Sequence, residues 1–198
     1  MIRKIHQIWF RFNKHSSGNI PDKYQKNADM WKSMHNDWEY YLWKEEDAIS
    51  FILENCPEHL ELFNKFGEKY PVMKVDFFRL ILMYHVGGLY IDTDTRPLKS
   101  LDNYFSSRKC SNIFVPQGNF PFLDLYSNYI LYSKVRYHEF WKNCIDIVYS
   151  RRNTWNINRL WYVCFVTGPH IISRAVIDYK YDDLTRMDND YFNPCNLC

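Results

Sequence analysis

Two aspartates, Asp92 and Asp94, follow a short apolar run and are separated by a single threonine. The run, residues 89–91, has the aliphatic and aromatic character of a buried strand. In an extended chain, residues two positions apart point to the same side, so we expect both carboxylates on one face. Neighbouring carboxylates repel each other unless a cation or a proton lies between them. Their oxygens suit Mg²⁺ or Mn²⁺, with phosphate oxygens of a ligand completing the coordination shell.

A turn is the alternative interpretation of this aspartate pair. In it both aspartates would cap backbone amides, assisted by Thr93, Thr95 and Pro97. An isolated D-x-D pattern most often has that structural role. The strand before the pair, and the Gly87-Gly88 break before the strand, favour the cation site here.

A helix that carries an acid and a base is expected just before this strand. Its apolar positions recur at mixed spacing, which indicates burial on more than one side; they are Val72, Val75, Leu80, Leu82 and Met83. Asp76 and Arg79 are three residues apart and therefore neighbours on the helix surface, where they would form an ion pair. Gly87 is expected to end the helix and Gly88 to turn the chain, because glycine takes left-handed conformations at little steric cost.

These residues together resemble a known family. The pattern D-x-x-R, an aromatic and then G-G-x-Y-x-D-x-D, over residues 76–94, is similar to the DXD-containing glycosyltransferases of the GT-A fold. Within these it most resembles family 32, the group of the initiating α-1,6-mannosyltransferase and of many capsule enzymes; the clostridial glucosylating toxins are more distant. Further segments agree in order: I-H-Q-I-W at 5–9, a strand-like run at 38–43 and T-G-P at 167–169.

The resemblance implies a donor site, residue by residue. Trp9, with Ile8 beside it, would stack on the base of a sugar nucleotide, since every base offers a π-face. Asp76 and Arg79 would contact the donor sugar and diphosphate. Tyr90 would pack near the nucleotide.

The same resemblance assigns the metal and the reaction. Asp92 would reach ribose, sugar or a metal-bound water, Asp94 would ligate Mn²⁺ or Mg²⁺ directly, and Gly168 would belong to the donor-binding residues. The donor would be a UDP-sugar or GDP-mannose, and the acceptor a glycan or another hydroxyl. Family 32 enzymes retain the anomeric configuration, with positive charge developing on the sugar ring. No second carboxylate stands out in the sequence as a nucleophile.

An α/β architecture follows from strands interleaved with helices. We expect a GT-A fold as a single Rossmann-like domain over residues 1–198, with a mixed central sheet and flanking helices. Strands are predicted at 5–9, 38–43, 89–91 and 113–115, and helices at 21–34, 46–55, 57–66, 123–131, 139–150 and 171–178. The segment 191–194 resembles an aromatic-proline element beyond which family members commonly continue.

Composition narrows the partners and the compartment. The chain of 198 residues is 46% hydrophobic, which predicts a globular core. A net charge of +2 without a long basic run argues against nucleic acid as the main partner. No apolar run approaches membrane-spanning length, so we expect a soluble cytoplasmic enzyme unless an anchor is missing. The abundance of Asn, Lys, Ile and Tyr fits a large DNA virus or an AT-rich bacterium.

Six cysteines are expected as free thiols in that compartment. Cys195 and Cys198 form a C-x-x-C pair, for which the sequence offers no second pair of zinc ligands.

Two other functions fit the same residues. A strand followed by D-x-D-x-T also resembles the first motif of haloacid-dehalogenase-type phosphatases, with Asp92 as nucleophile and Asp94 as general acid. That fold should also show a downstream lysine and a late acidic pair after an apolar strand. Asp182-Asp183 lacks such a strand, and the Gly87-Gly88 break fits transferases better. A third hypothesis is a non-catalytic, sugar-nucleotide- or glycan-binding remnant of the transferase fold.

Overall fold

A mixed sheet forms the centre of the fold, seen in a computed structural model that describes residues 1–12, 18–116, 126–154, 158–178 and 182–187. Its strands are β1 (Lys4–Ile8), β2 (Glu39–Trp43), β3 (Gly88–Ile91), β4 (Ile113–Pro116), β5 (Ile130–Ser133) and β6 (Leu184–Met187). Over those residues the strand order is β2-β1-β3-β5-β4-β6. β1 runs parallel to β2 and β3, β5 is antiparallel to β3 and β4, and β6 is parallel to β4. The carboxyl ends of the first three strands therefore meet at one edge, where α/β sheets bind ligands.

Helices cover both faces of the sheet. They are α1 (Asp22–Met34), α2 (Glu45–Asn55), α3 (Leu60–Lys69), α4 (Val72–His85), α5 (Asp102–Ser107), α6 (Glu139–Arg151), α7 (Arg159–Val166) and α8 (Pro169–Asp178), with a 3₁₀ turn at Pro57–His59. One core joins α2, α3, α4, α6 and α8 to the sheet, and a second core joins α1 and α5 to its other face. Because side chains alternate along a strand, β3 sends Tyr90 into the first core and Leu89 and Ile91 into the second.

The predicted α/β architecture with a mixed sheet is confirmed, and one predicted helix is wrong. Residues 130–131 belong to β5, which pairs with both β3 and β4, instead of to a helix at 123–131. Periodicity cannot separate strand from helix in a short apolar run, and here sheet pairing on both sides decides. Residues 123–125 of that prediction, the 191–194 segment, Cys195 and Cys198 lie outside the described residues. Helices α5 and α7 and strand β6 were not predicted.

Both glycines at the junction of α4 and β3 have the predicted role. Gly87 and Gly88 have φ values of +69° and +86°, in the left-handed region that other residues avoid. The Gly87 N–H donates to the Leu82 carbonyl at 3.0 Å, which ends α4. A Cβ on Gly88 would lie 2.7 Å from the Lys4 carbonyl oxygen. The break therefore lets β3 enter the sheet directly beside β1.

One stretch, Leu160–Asp178, has the length and composition of a membrane-spanning helix, which was not expected. It consists of two helices, α7 and α8, separated at Thr167 and Gly168. The inner face of α8 is buried in the core through Ile171 and Ile172. Such burial is typical of a core helix of a globular protein.

Candidate active site

An open cleft of about 380 Å³ lies where β1 and β3 end. Its walls come from the residues after β1, the first half of α4 and the end of β3. The lining residues are Ile8, Trp9, Phe10, Phe12, Val72, Val75, Arg79, Tyr90, Asp92, Thr93 and Asp94. Six of the eight predicted site residues are thereby brought together, and Asp76 and Gly168 lie outside the lining.

The two aspartates lie in a turn instead of an extended strand. Strand β3 ends at Ile91, and the Asp92 carbonyl accepts hydrogen bonds from the Thr95 N–H at 3.1 Å and the Thr95 hydroxyl at 2.6 Å. A turn thus forms, but the alternative interpretation was wrong about how, because among the described residues no backbone N–H donates to either carboxylate, and both carboxylates line the cleft. Asp94 is exposed, and its carboxylate accepts no hydrogen bond from any residue that the structure describes. It is therefore free to ligate a cation.

Side chains from distant segments hold this turn through its carbonyl groups. The Gln7 amide donates to the Asp92 carbonyl at 3.3 Å, and the Asn27 amide donates to the Thr93 carbonyl at 3.2 Å. The Trp31 indole N–H donates to the Thr95 carbonyl at 3.2 Å. Sequence reasoning missed these residues because no local motif marks them.

Asp76 and Arg79 form the predicted ion pair, and Arg79 extends it to the turn. The Arg79 Nη2 lies 3.0 Å from Asp76 Oδ1 and 3.6 Å from Asp92 Oδ1. Its Nη1 donates to the Asn128 carbonyl at 2.7 Å. Burial disfavours the charged guanidinium, but Tyr90, Asp92 and Asp76 together raise the pKa of Arg79 above its ordinary value. Arg79 is therefore a permanent cation at the floor of the cleft.

Asp76 lies in the core behind Arg79. Besides Arg79, it accepts hydrogen bonds from the Asn128 amide at 3.2 Å and the Thr167 hydroxyl at 3.1 Å. Burial raises the pKa of Asp76, and these three donors oppose that rise. Asp76, Arg79, Asn128 and Thr167, which we call the Asp76 network, fix the guanidinium before any ligand arrives.

The T-G-P segment contributes to this network through its threonine. Gly168 lies at the junction of α7 and α8, where a Cβ would come within 2.8 Å of the Cys164 Cα. Its hydrogen atom is thus needed for close backbone packing, while Thr167 reaches Asp76. The sequence did not identify Thr167 or Asn128 as site residues. The T-G-P match contains Thr167, but the residue assigned to the donor site was its neighbour Gly168.

Asp92 is an incompletely compensated anion. The Tyr90 hydroxyl donates to Asp92 Oδ1 at 2.5 Å, and the Arg79 guanidinium lies 4.7 Å from the centre of the Tyr90 ring. Burial raises the pKa of Asp92, with Arg79 and then Tyr90 opposing the rise and Asp94 adding to it. A cation between the two aspartates would remove that penalty.

Trp9 lines the cleft and is half-buried. Its ring packs against Tyr24 with centroids 5.6 Å apart. Its backbone N–H donates to the Trp43 carbonyl at 2.9 Å, which continues the pairing of β1 with β2. The indole is thereby held with surface left for a planar ligand.

The donor set fits a divalent cation that arrives with an anionic ligand. Among the described residues, no group of three or more His, Cys, Asp or Glu side chains could hold a metal ion. Asp92 and Asp94 supply two carboxylates at the cleft, so the remaining ligands must be water or oxygens of the ligand.

A sequence profile described as the glycosyltransferase sugar-binding region containing the DXD motif matches residues 21–111, which include α4 and both aspartates. Over this region the chain is similar to the DXD-containing glycosyltransferases. It is 26% identical over 181 residues to the mannosyl phosphorylinositol ceramide synthase CSH1 of Saccharomyces cerevisiae, covering 89% of this chain and 42% of that protein.

Further relatives give similar matches. The chain is 31% identical over 107 residues to inositol phosphoceramide mannosyltransferase 1 of Schizosaccharomyces pombe, covering 52% of this chain and 31% of that one. It is 24% identical over 204 residues to an uncharacterised glycosyltransferase of Acanthamoeba polyphaga mimivirus, covering 98% and 73%. The chain thus spans less than half the length of these two yeast relatives.

Solved structures show the same fold. The PaToxG glycosyltransferase superposes with a TM-score of 0.68 at 17% identity, covering 89% of this chain and 69% of that one. The UDP-bound glycosyltransferase domain of the YGT toxin superposes with a TM-score of 0.52 at 10% identity, covering 94% and 79%. These likenesses establish the GT-A fold.

Proposed function

We propose that this chain transfers a sugar from a nucleotide-sugar donor to a hydroxyl acceptor, assisted by a divalent cation at Asp92 and Asp94. The observation that carries the proposal is one cleft that holds a half-buried indole, a buried arginine and an exposed aspartate. Trp9 offers a surface for a base, Arg79 a positive charge for a diphosphate, and Asp94 an oxygen ligand for the cation.

The cation would be Mn²⁺ or Mg²⁺, held by Asp94 directly and by Asp92 directly or through water. When bound, it supplies positive charge that stabilises the departing diphosphate. Arg79 supplies a fixed charge at the same end of the cleft, and its Nε has no hydrogen-bond partner among the described residues. That N–H is buried, and in this proposal a phosphate oxygen or a sugar hydroxyl of the bound donor satisfies it.

Asp76 acts on the donor through Arg79 in this proposal. Its carboxylate is buried and already engaged by the Asp76 network, so its role before donor binding is to orient the guanidinium. Direct contact with the sugar, as the family resemblance implied, would require Asp76 to exchange one of these partners. Tyr90 holds Asp92 in place by donating a hydrogen bond to its carboxylate.

We also propose that the anomeric configuration is retained. Asp92 and Asp94 are the only carboxylates among the residues lining the described cleft. Both are assigned to the cation, so no lining carboxylate is free to act as a double-displacement nucleophile. Retention, which the family resemblance implies, would then require the acceptor hydroxyl to bond to the anomeric carbon on the face from which the diphosphate departs, with the hydroxyl proton passing to the diphosphate. Linkage analysis of the product by proton NMR distinguishes retention from inversion.

Two donor classes have support. The mannosyltransferase names of the yeast relatives favour GDP-mannose, and the UDP-bound structural neighbour favours a UDP-sugar. The acceptor would be a hydroxyl of a glycan or of a sugar-bearing lipid headgroup, as the inositol phosphoceramide relative suggests. Measuring which nucleotide binds identifies the base of the donor, and this measurement does not require the acceptor.

The test is a thermal-shift panel of UDP, GDP, UDP-glucose, UDP-galactose, UDP-N-acetylglucosamine and GDP-mannose, each with and without Mn²⁺. Ligand at 100 times its Kd stabilises a protein by about 2.7 kcal/mol, or about 5–10 °C for a chain of this size. We expect one nucleotide class to give a Mn²⁺-dependent shift that is lost in Asp94→Ala and kept in Glu54→Ala, an exposed acid on α2. No shift with any nucleotide would refute the donor site, and binding without transfer to any acceptor would support the remnant hypothesis.

A further inference from the structure

Helix α7 is apolar around most of its circumference, yet little of it is buried. Its sequence, RLWYVCFV, has seven apolar or aromatic residues, of which Val166 is fully buried. Leu160 is 69% exposed, Trp161 62% and Phe165 37%. A helix that is apolar on all sides is normally covered. We call Leu160, Trp161 and Phe165 the α7 face. Among the described residues, the Arg151 guanidinium contacts Phe165 and the His170 ring packs near Trp161 and Phe165, while most of Leu160 and Trp161 stays exposed.

Arginines from the neighbouring helices border the α7 face. The Arg151 guanidinium, at the end of α6, lies 4.0 Å from the centre of the Phe165 ring and donates to the Phe165 carbonyl at 2.8 Å. Arg152, the next residue, is exposed and lies 5.7 Å from the centre of the Tyr149 ring, in a cleft that it shares with Tyr162 of α7. Arg174 on α8 is exposed with Asp178 as its ion-pair partner at 2.7 Å. Burial, and then the nearby charge of Arg174, lower the pKa of Arg151. With Arg151, Arg152 and Arg174 against the one carboxylate of Asp178, the border carries a net positive charge that added anions would stabilise.

We propose that the α7 face docks on an anionic lipid surface, with Leu160 and Trp161 inserted at headgroup depth and Arg152 and Arg174 against lipid phosphates. Tryptophan and leucine beside arginine form the pattern of a helix that lies in the membrane interface. The charge distribution selects this occupant over a second copy of the chain. A two-fold symmetric dimer through the same face would bring the two sets of arginines together.

The α7 face is adjacent in sequence to a residue of the candidate active site. Helix α7 ends at Val166, and the next residue is Thr167, whose hydroxyl holds Asp76. Binding at the α7 face would therefore place the Asp76 network one residue from a membrane-bound helix. The proposal itself stands apart from the proposed transfer reaction, because its readout is binding to lipid.

Co-sedimentation with extruded vesicles tests the proposal. We expect binding to vesicles of phosphatidylcholine with phosphatidylserine, and much weaker binding to phosphatidylcholine alone. The double variant Leu160→Gln/Trp161→Gln should lose about tenfold or more in partitioning, since both side chains would leave an apolar environment. Leu98→Gln, a leucine of similar exposure at 65%, is the matched control and should bind as the parent chain does.

The charge dependence is tested separately. Arg152→Gln/Arg174→Gln should lose about fivefold or more per arginine on anionic vesicles, and Lys26→Gln, an exposed lysine on α1, should lose little. Melting curves of each variant report whether it is folded. No binding to anionic vesicles, or binding unchanged in Leu160→Gln/Trp161→Gln, overturns the proposal. The proposal is also overturned if the parent chain does not bind lipid and forms a dimer in analytical ultracentrifugation that is lost in Leu160→Gln/Trp161→Gln.

Discussion

Replacement of Thr167 by valine tests whether the Asp76 network acts as the structure implies. The substitution keeps the β-branched shape and removes the hydroxyl that donates to Asp76 Oδ2 at 3.1 Å. Thr167 is 1% exposed, so water cannot replace the lost donor. Asp76 then keeps Arg79 and Asn128 and loses one of its three partners.

The expected size follows from the charge of the acceptor. A hydrogen bond to a charged group contributes about 1.5–3 kcal/mol, against about 0.5–1.5 kcal/mol between neutral groups. In a chain of about 200 residues each kcal/mol corresponds to about 2–4 °C, so we expect Thr167→Val to lower the melting temperature by about 3–12 °C near neutral pH. The reoriented guanidinium should also lower kcat/KM by about tenfold or more.

The pH dependence identifies the carboxylate as the partner. Burial raises the pKa of Asp76, so the folded state holds its proton more tightly than the unfolded state. The stability from this group is therefore fully present below an unfolded pKa of about 3.9 and is lost as pH rises through the higher folded pKa. The hydroxyl opposes the rise, so the cost of Thr167→Val should be larger at pH 7.5 than at pH 4.

Differential scanning calorimetry at both pH values measures this difference. Thr154→Val, at an exposed threonine, serves as the control and should stay within about 0.5 kcal/mol of the parent chain. A destabilisation by Thr167→Val that is equal at the two pH values would refute the reasoning, because it would indicate lost packing instead of a lost donor to a carboxylate.

Three further predictions concern the aspartate turn and the glycine break. Asp92→Asn should raise the melting temperature of the ligand-free chain by about 2–4 °C while abolishing donor binding; the gain corresponds to about 1 kcal/mol, discounted because the side chain is 33% exposed. A lower melting temperature would contradict the raised pKa of Asp92. The affinity for the nucleotide in the presence of Mn²⁺ should fall on acidification at pH values above the ordinary carboxylate pKa of about 4, because the pKa of Asp92 is raised and protonated Asp92 cannot ligate the cation. Titration calorimetry at several pH values measures this affinity. A Kd that does not change with pH above pH 4 would contradict the prediction. Gly88→Ala should lower the free energy of unfolding, measured in urea, by at least about 2 kcal/mol, because φ is +86° and a Cβ would clash with the Lys4 carbonyl. Gly18→Ala, with open space around the residue, is the control and should be nearly neutral. Equal effects of the two substitutions would count against a strained turn at Gly88.

The candidate site could be predicted from the sequence as far as its chemistry is local. The three-residue spacing of Asp76 and Arg79 predicted an ion pair, and the pair is formed at 3.0 Å. The apolar run and the two glycines predicted the break, the strand and the aspartates at its end. Each of these depends on neighbours within a few positions, where helix and strand geometry set the contacts.

Tertiary structure decided how those local pieces meet. Asn128 and Thr167 bind Asp76 from 52 and 91 residues away, and no spacing rule reaches that far. The segment predicted as a helix at 123–131 joins the sheet as β5 from Ile130 onward, because β3 and β4 offer backbone partners on both sides. The sequence alone determined which residues could carry the chemistry. The assembly of the sheet and its helices determined which of these residues face the cleft and which, like Asp76, lie behind it. Burial and long-range pairing exist only once the chain has folded.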